Sequence, residues 1–428
     1  MFTGFDRLTS VEEAGEVMES SDHYVVISAD GHAGASMDAY RQCLDPAFRD
    51  DFDAWRKEYS NPFADLRDTE SLEYQRNFDD ALRQKDVESD GVVAEVLFPN
   101  TIPPFYPSGI IFNPPAPRDA EELRFRWAGI RAHNRWLADF CSQRPGRRAG
   151  IAQIFLDDVE RAVEEVRWAA QQPGLFGGIM LPNPPVGETT PQLHSPAYEP
   201  LWTVCEDLGV VVNSHGGGGG PTTYGDIDTS LVMMFLEFGW YCQRPLVRLI
   251  FSGVFERHPN LTFVMTETGN SWVPGTLAEL DFMYDRIVNA KPGAVEGLFG
   301  GMIRDSMKLR PSQYWARQCY IGASFLSRKD SKTWHATGID RLMWGSDYPH
   351  AEGTFPHTRF VLRHVFHDVE PDEVALMLGL NAARAYRFDL AELQPIADRI
   401  GPTVLDLSQD LLLDELPADA TTIALPVS

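Results

Sequence analysis

The chain is poor in the features that would give it a secreted, membrane-bound or nucleic-acid-binding character. Five cysteines (Cys43, Cys141, Cys205, Cys242, Cys319) are scattered over 428 residues and form no CxxC pair. That excludes a disulfide scaffold and favours free thiols in a reducing compartment. No run of about 18 apolar residues is present, so no segment reads as a bilayer span. Met1 to Ser21 lacks an apolar core and carries Asp6, Glu12, Glu13, Glu16 and Glu19, unlike a secretory leader. A cytoplasmic location is the expectation. Positive charge is also scarce: 37 Lys and Arg face 62 Asp and Glu, a net charge of −25. General attraction to nucleic acid or anionic lipid is thereby disfavoured, and a small-molecule substrate is expected. The five-glycine run Gly216–Gly220 is not followed by Gly-Lys-Ser/Thr, so it is not a phosphate loop.

What is abundant is short, apolar, β-branched runs bounded by turn residues. Eight are read: 24–30, 92–99, 149–155, 177–181, 210–214, 261–266, 318–323 and 341–345. Most are nearly continuous in apolar residues, as parallel strands covered on both faces are. Helical periodicity lies between them, as in Val159, Ala162, Val163 and Val166. The alternation predicts a (β/α)8 TIM barrel of the α/β class over 23–390. Residues 1–22 read as an N-terminal arm and 391–428 as a C-terminal extension. Two long βα-loop insertions, about 33–91 and 101–148, contain Pro- and aromatic-rich pieces suited to substrate walls.

A barrel gathers its functional groups at the C-terminal ends of its strands. There the chain places Asp30 and His32, then His215, then Asp347, a set of imidazole and carboxylate ligands suited to a divalent cation. Asp30 and His32 stand at i and i+2, on one face of an extended strand. As an isolated triplet Asp-x-His is commonplace; three strand ends delivering such residues together are not. Glu267 ends the sixth strand and is read as ligand, partner to a histidine, or general base, against a plain ion pair with arginine. His350 lies just past Asp347, placed to bind substrate or move a proton.

Ser28-Ala29-Asp30-Gly31-His32, Tyr198-Glu199-Pro200-Leu201-Trp202, the strand ending at His215-Gly-Gly, Phe255-Glu256-Arg257-His258-Pro259 and Trp344-Gly345-Ser346-Asp347-Tyr348-Pro349-His350 resemble the amidohydrolase-2 family. This is the branch of the amidohydrolase superfamily that contains aminocarboxymuconate-semialdehyde decarboxylase and γ-resorcylate decarboxylase. The resemblance implies a metal-dependent barrel acting on small, often aromatic or carboxylated molecules. Two departures stand out: Asp30 occupies the first position of the usual His-x-His, and Glu267 stands where relatives tend to have a catalytic histidine. No lysine lies where a bridging carboxylated lysine would, so one metal ion is expected, zinc first, with manganese or iron as alternatives.

Three functions follow. The first is a hydrolase in which Asp30, His32, His215 and Asp347 hold the ion, Asp347 or Glu267 accepts the proton of a bound water, and His350 orients substrate. The second is a non-oxidative decarboxylase on the same barrel, served by an arginine at the mouth, with Arg83 or Arg359 as candidates. The third, from another class, is a catalytically silent binding or scaffold barrel. A homodimer or larger homo-oligomer is expected from the tail and the aromatic loops.

Overall fold

The computed structural model describes residues 22–60, 71–109, 113–225, 227, 229–291, 293–411, 415 and 420. The N-terminal arm, apart from Asp22, and most of the chain beyond 411 lie outside them. Eight parallel strands follow one another in chain order around one sheet: β1 (Ile27–Ala33), β2 (Ala94–Pro99), β3 (Arg148–Gln153), β4 (Gly178–Met180), β5 (Val212–His215), β6 (Phe263–Thr266), β7 (Cys319–Ala323) and β8 (Leu342–Trp344). Each coincides with one of the runs expected from the sequence, and the fold is the (β/α)8 barrel.

Helices cover the outside: α1 (Asp80–Ser89), α2 (Ala120–Ser142), α3 (Val159–Ala169), α4 (Glu199–Leu208), α5 (Ser230–Tyr241), α6 (Arg244–Phe251), α7 (Val273–Val288), α8 (Val295–Ser306), α9 (Ser331–Thr337), α10 (Thr358–Phe366) and α11 (Asn381–Tyr386). Local chemistry starts several of them. Asp79, Asp119 and Asp158 each accept a backbone N–H three residues on, satisfying a donor that the first turn of α1, α2 or α3 would otherwise leave open. One connection differs from the sequence reading: about half of the segment 101–148 is helix, because α2 takes up 23 residues of it. Helix α6 ends at Phe251, and Gly253 adopts φ +74° before a separate turn at Val254–Arg257.

Closure of the barrel falls between β1 and β8. Asp347 N–H donates to the Asp30 carbonyl at 2.8 Å and His32 N–H to the Tyr348 carbonyl at 2.7 Å. Ser346 N–H donates to Ser28 Oγ at 2.9 Å, so a side chain completes the seam. The pairing of β1 with β2 slips between Ser28 and Gly31, where three residues of β1 span two of β2. Gly345 is required here: a Cβ on it would sit 2.5 Å from Asp30 Cβ.

Beneath the seam, fully buried Arg83 of α1 donates through Nε and Nη2 to both oxygens of Glu95, at 3.0 and 2.7 Å, and through Nη1 to the His32 carbonyl at 2.7 Å. Its guanidinium lies 4.7 Å from the Tyr348 ring centroid. Arg83 is therefore a structural bolt between β1, β2 and β8, not a substrate arginine. Arg359 donates to the Ile400 carbonyl, against the helix Leu390–Ile400, and does not serve the mouth either. That part of the tail packs on its own chain, where Tyr24 N–H donates to the Pro402 carbonyl at 3.0 Å. Among the described residues no helix is long and apolar enough to cross a membrane.

Two outcomes follow. Gly345→Ala should destabilise the fold by about 1–3 kcal/mol, the usual cost of overpacking, as read by urea unfolding. Asp90, at the end of α1, accepts the Thr358 hydroxyl of α10 at 2.6 Å, and burial raises its carboxyl to about 6 from an ordinary 3.8. Folding thus favours the protonated acid, a contribution present below pH 3.8 and lost as pH rises through about 6. The unfolding free energy of wild type relative to Asp90→Asn should fall across that window and level off above it.

Candidate metal centre

Asp30 and His32 leave β1 on the same side, as their spacing requires, and meet His215 from the end of β5 and Asp347 from just beyond β8. His32 Nε2 lies 3.2 Å from Asp30 Oδ1 and 3.1 Å from Asp347 Oδ1. His215 Nε2 lies 3.5 Å from Asp30 Oδ1 and 3.2 Å from Glu267 Oε2. Asp30, His32, His215 and Glu267 each offer a ligand atom within 4.8 Å of the others, and so do His32, Asp347 and His350, with His32 shared. The structure therefore gathers all six residues singled out in the sequence, and among the described residues Glu267 meets His215 and makes no ion pair with arginine.

The donor atoms suit a cation. Asp30 Oδ1, His32 Nε2, His215 Nε2 and both Asp347 oxygens are buried and, among the described residues, have no hydrogen-bond partner despite the short separations. Unpaired groups of this kind are costly in a protein interior unless something charged engages them. The next layer of contacts sets their direction. Ser324, just past β7, donates to Asp30 Oδ2 at 2.8 Å, which leaves Oδ1 facing the cluster. His215 Nδ1 lies 3.2 Å from the Gly216 carbonyl, which can only accept, so Nδ1 carries the proton and Nε2 keeps its lone pair. Gly216 has no room for a side chain, since a Cβ would meet the Glu267 carbonyl at 2.4 Å. The rest of the glycine run is pinned: Gly219 N–H donates to Asn113 Oδ1 at 2.7 Å and its carbonyl accepts from Arg244 at 2.9 Å.

Charge at the centre is strongly coupled. Burial would raise the Asp30 carboxyl, but the contact and charge of His215 and His32 hold it well below the ordinary carboxylate range. Burial likewise opposes charge on His32, yet Asp30 and Asp347 hold it well above its usual value. For Asp347, burial is outweighed by His32 and His350, and the carboxyl is lowered. Glu267, whose side chain is 37% exposed, moves the other way, raised by partial loss of hydration among the packed groups and by the two aspartates against the pull of His215.

His350 stacks on His32 with ring centroids 4.1 Å apart. Its Nδ1 faces Asp347 Oδ1 at 2.8 Å and its Nε2 faces Asn100 Oδ1 at 3.0 Å. Asn100 Nδ2 donates in turn to Asn77, which fixes Asn100 Oδ1 as the acceptor for His350. Phe98 of β2, itself buried, packs on the His215 ring at 4.6 Å and backs the cluster with apolar surface. Glu267 and Asp347 both adopt left-handed backbone, with φ +54° and +58°. Such conformations are unfavourable for residues with a side chain and cluster at functional sites. Asn100 and Ser324 stand just past β2 and β7 and take their roles only from partners distant in sequence, and Phe98 carries no signal that separates it from other core phenylalanines.

The family profile described as Amidohydrolase (Amidohydro_2) matches residues 114–388, more than half of the chain. The chain belongs to this family. The matched span begins after β2, so Asp30 and His32 join the site through the fold's geometry. A γ-resorcylate decarboxylase of Rhodococcus jostii (strain RHA1) is 30% identical over 163 residues, covering 35% of this chain and 48% of that relative, about half its length. The 5-carboxyvanillate decarboxylase of Sphingomonas paucimobilis superposes with a TM-score of 0.61 at 22% identity, over 86% of this chain and 100% of that one. The enzyme of the same name from Novosphingobium aromaticivorans DSM 12444, complexed with manganese and 4-hydroxy-3-methoxy-5-nitrobenzoic acid, gives a TM-score of 0.59 at 17% identity, over 86% and 97%. At such identities the solved structures speak for the shared barrel.

If the cluster is a cation site, Mn2+ should bind the wild-type chain at one ion per chain by isothermal titration. Ser324→Ala should weaken that binding about 10–100-fold, the usual effect of removing a contact that orients a ligand. His215→Ala should abolish it.

Proposed function

We propose that this chain is a metal-dependent, non-oxidative decarboxylase of a small aromatic acid, with one divalent ion held by Asp30, His32, His215 and Asp347 and Glu267 flanking His215. The observation that carries the ion is the convergence of buried, unpartnered ligand atoms at the strand ends. The choice of decarboxylation over hydrolysis rests on the relatives, which are named as aromatic-acid decarboxylases. Manganese is the first ion to test, since a carboxylate-rich set with two imidazoles suits it as well as zinc.

Such an ion, when bound, supplies positive charge that holds the substrate carboxylate and a neighbouring oxygen. The chain's own residues supply the rest. The partly exposed His350 ring is the surface an aromatic substrate can meet, with buried His32 and Phe98 packed behind it. As CO2 leaves, the bond from ring carbon to carboxylate breaks, its electron pair stays on the ring carbon, and that carbon takes a proton. Asp347 is the group assigned to deliver it; because its carboxyl is held low, it takes a proton from His350 as it gives one to the ring carbon. The His350 side chain is 27% exposed, so that proton can enter from solvent. Asn100 holds the His350 ring for this exchange. The same residues would serve a hydrolase, and the products decide between them.

The test is turnover of the Mn2+-loaded protein on ortho-hydroxy aromatic acids, with a parallel set of esters, lactones and amides. CO2 release should accompany appearance of the ring product, and in D2O that product should carry deuterium at the vacated carbon. Turnover of esters or amides alone, with no CO2, would overturn the proposal. Asp347→Asn should keep much of the metal affinity while lowering CO2 release by about 10²–10⁴-fold, the range for loss of an acid catalyst.

A further inference from the structure

The proposed ligands occupy the rim of the barrel unevenly. On one side of His32 and His215, strands β6, β7 and β8 lead into Glu267, Ser324 and Asp347, which bring carboxylates and a hydroxyl to the centre. The strands on the other side are β2, β3 and β4. Which side chains these turn inward follows from the alternation of a strand. Ile27, Phe98, Ile151, Val264 and Met343, each from a different strand, pack as one cluster inside the barrel, and Met180 packs against it. Gln153 stands two residues past Ile151 on the same face and pairs in register with Met180. This half of the rim therefore turns inward Phe98, Gln153 and Met180, an amide between two apolar side chains.

Gln153 is braced where β3 ends. Fully buried Asn134 of α2 accepts the Gln153 N–H at 2.8 Å and donates to the Gln153 carbonyl at 2.9 Å. Asn134 Nδ2 also donates to Glu165 of α3 at 2.9 Å, and buried Glu165 is paired with Arg131 and Arg135. Two helices thus fix the backbone of this residue from outside the sheet. Its side chain has no such support: Nε2 is buried and, among the described residues, donates to nothing. A buried donor left unmade costs more than an ordinary hydrogen bond contributes, so an oxygen acceptor is called for there.

We propose that Gln153 selects the substrate, its amide N–H donating to an oxygen substituent on the aromatic ring at a carbon remote from the carboxylate. The inference rests on the aromatic-acid reading above and adds which acids fit. With the substrate carboxylate and its neighbouring oxygen at the centre, a ring laid toward β6–β8 would bring its oxygens against Glu267 and Asp347. Laid toward β2–β4, it follows His350, which is held by Asn100 just past β2. There partly buried Met180 gives apolar contact and Gln153 a donor. A ring without the extra oxygen leaves that donor unpaired, and a site built around a hydrogen bond discriminates against such a ligand.

Isothermal titration of the Mn2+-loaded chain with 2-nitrophenols tests this apart from turnover, because the nitro group has the shape of the carboxylate and does not leave as CO2. The probes carry, at ring position 4 or 5, either a second hydroxyl or a methyl group of similar size. In one of the two pairs the wild type should favour the hydroxyl probe, and Q153M, which keeps the length of the side chain without its amide, should lower that preference about 10-fold, the worth of one good hydrogen bond. Comparing ratios cancels the effect of the substituent on the phenol itself. Circular dichroism and Mn2+ binding check that the variant is folded, and Q153A replaces it if it is not. A wild type that favours methyl at both positions, a preference that Q153M leaves unchanged while affinity falls for every probe alike, or failure of every probe to bind would overturn the proposal. A preference that depends on Gln153 in a protein that releases no CO2 from aromatic acids would uphold this assignment and overturn the decarboxylase reading alone.

Discussion

Everything at the mouth of this barrel depends on how β1 is joined to β8. The two strands are not held by a long regular ladder. Backbone bonds from Asp347 to Asp30 and from His32 to Tyr348, helped by Ser28, make the seam. Asp30, His32 and Asp347 of this seam are also proposed ligands, so the bonds that close the sheet fix the distance between the first and last of them. Gly345 permits the approach, and the buried Arg83–Glu95 pair holds the His32 carbonyl from below. A buried ion pair of this kind contributes little net stability against a hydrophobic substitute, but removing one partner is expensive. Its value here is positional.

Much of this was legible from residue order alone, for identifiable reasons. Parallel strands covered on both faces are continuous in apolar residues, so all eight could be found. Asp30, His32, His215 and Asp347 could be grouped because a barrel brings strand ends together whatever their separation in sequence. The parts that escaped are those decided by contacts between distant segments. Arg83 carries no mark that separates a bolt under the seam from a substrate-binding arginine at the mouth. Helix α2 buries Arg126, His133 and Asn134 beside its apolar residues, which blurs the one-sided pattern a helix is recognised by. The pairing of Glu267 with His215 depends on the positive φ at Glu267, which no local pattern announces.

The cluster constrains binding more than reaction. Two imidazoles, two aspartates and a nearby glutamate can serve hydrolysis or decarboxylation, because both begin by placing an oxygen-rich substrate against a cation. Discrimination falls to the surroundings: the partly exposed His350 ring can meet a flat substrate, and its contact with Asp347 gives that carboxylate a route to solvent. The resemblance in the sequence and the relatives found by comparison meet on this scaffold, while the four-ligand set gives no preference between the two chemistries.

The left-handed backbone at residues 267 and 347 has an evolutionary consequence. Glycine would relax both positions, and asparagine and aspartate are the side chains that tolerate that conformation best. Asp347 is thus already a tolerated choice, whereas at 267 the substitutions that backbone energetics would welcome delete, neutralise or shorten the carboxylate. Drift toward greater stability would erode the centre at 267, and selection for chemistry must act against it. In a randomised library, variants recovered for thermal resistance and variants recovered for turnover should diverge at 267 sooner than at 347 or 215.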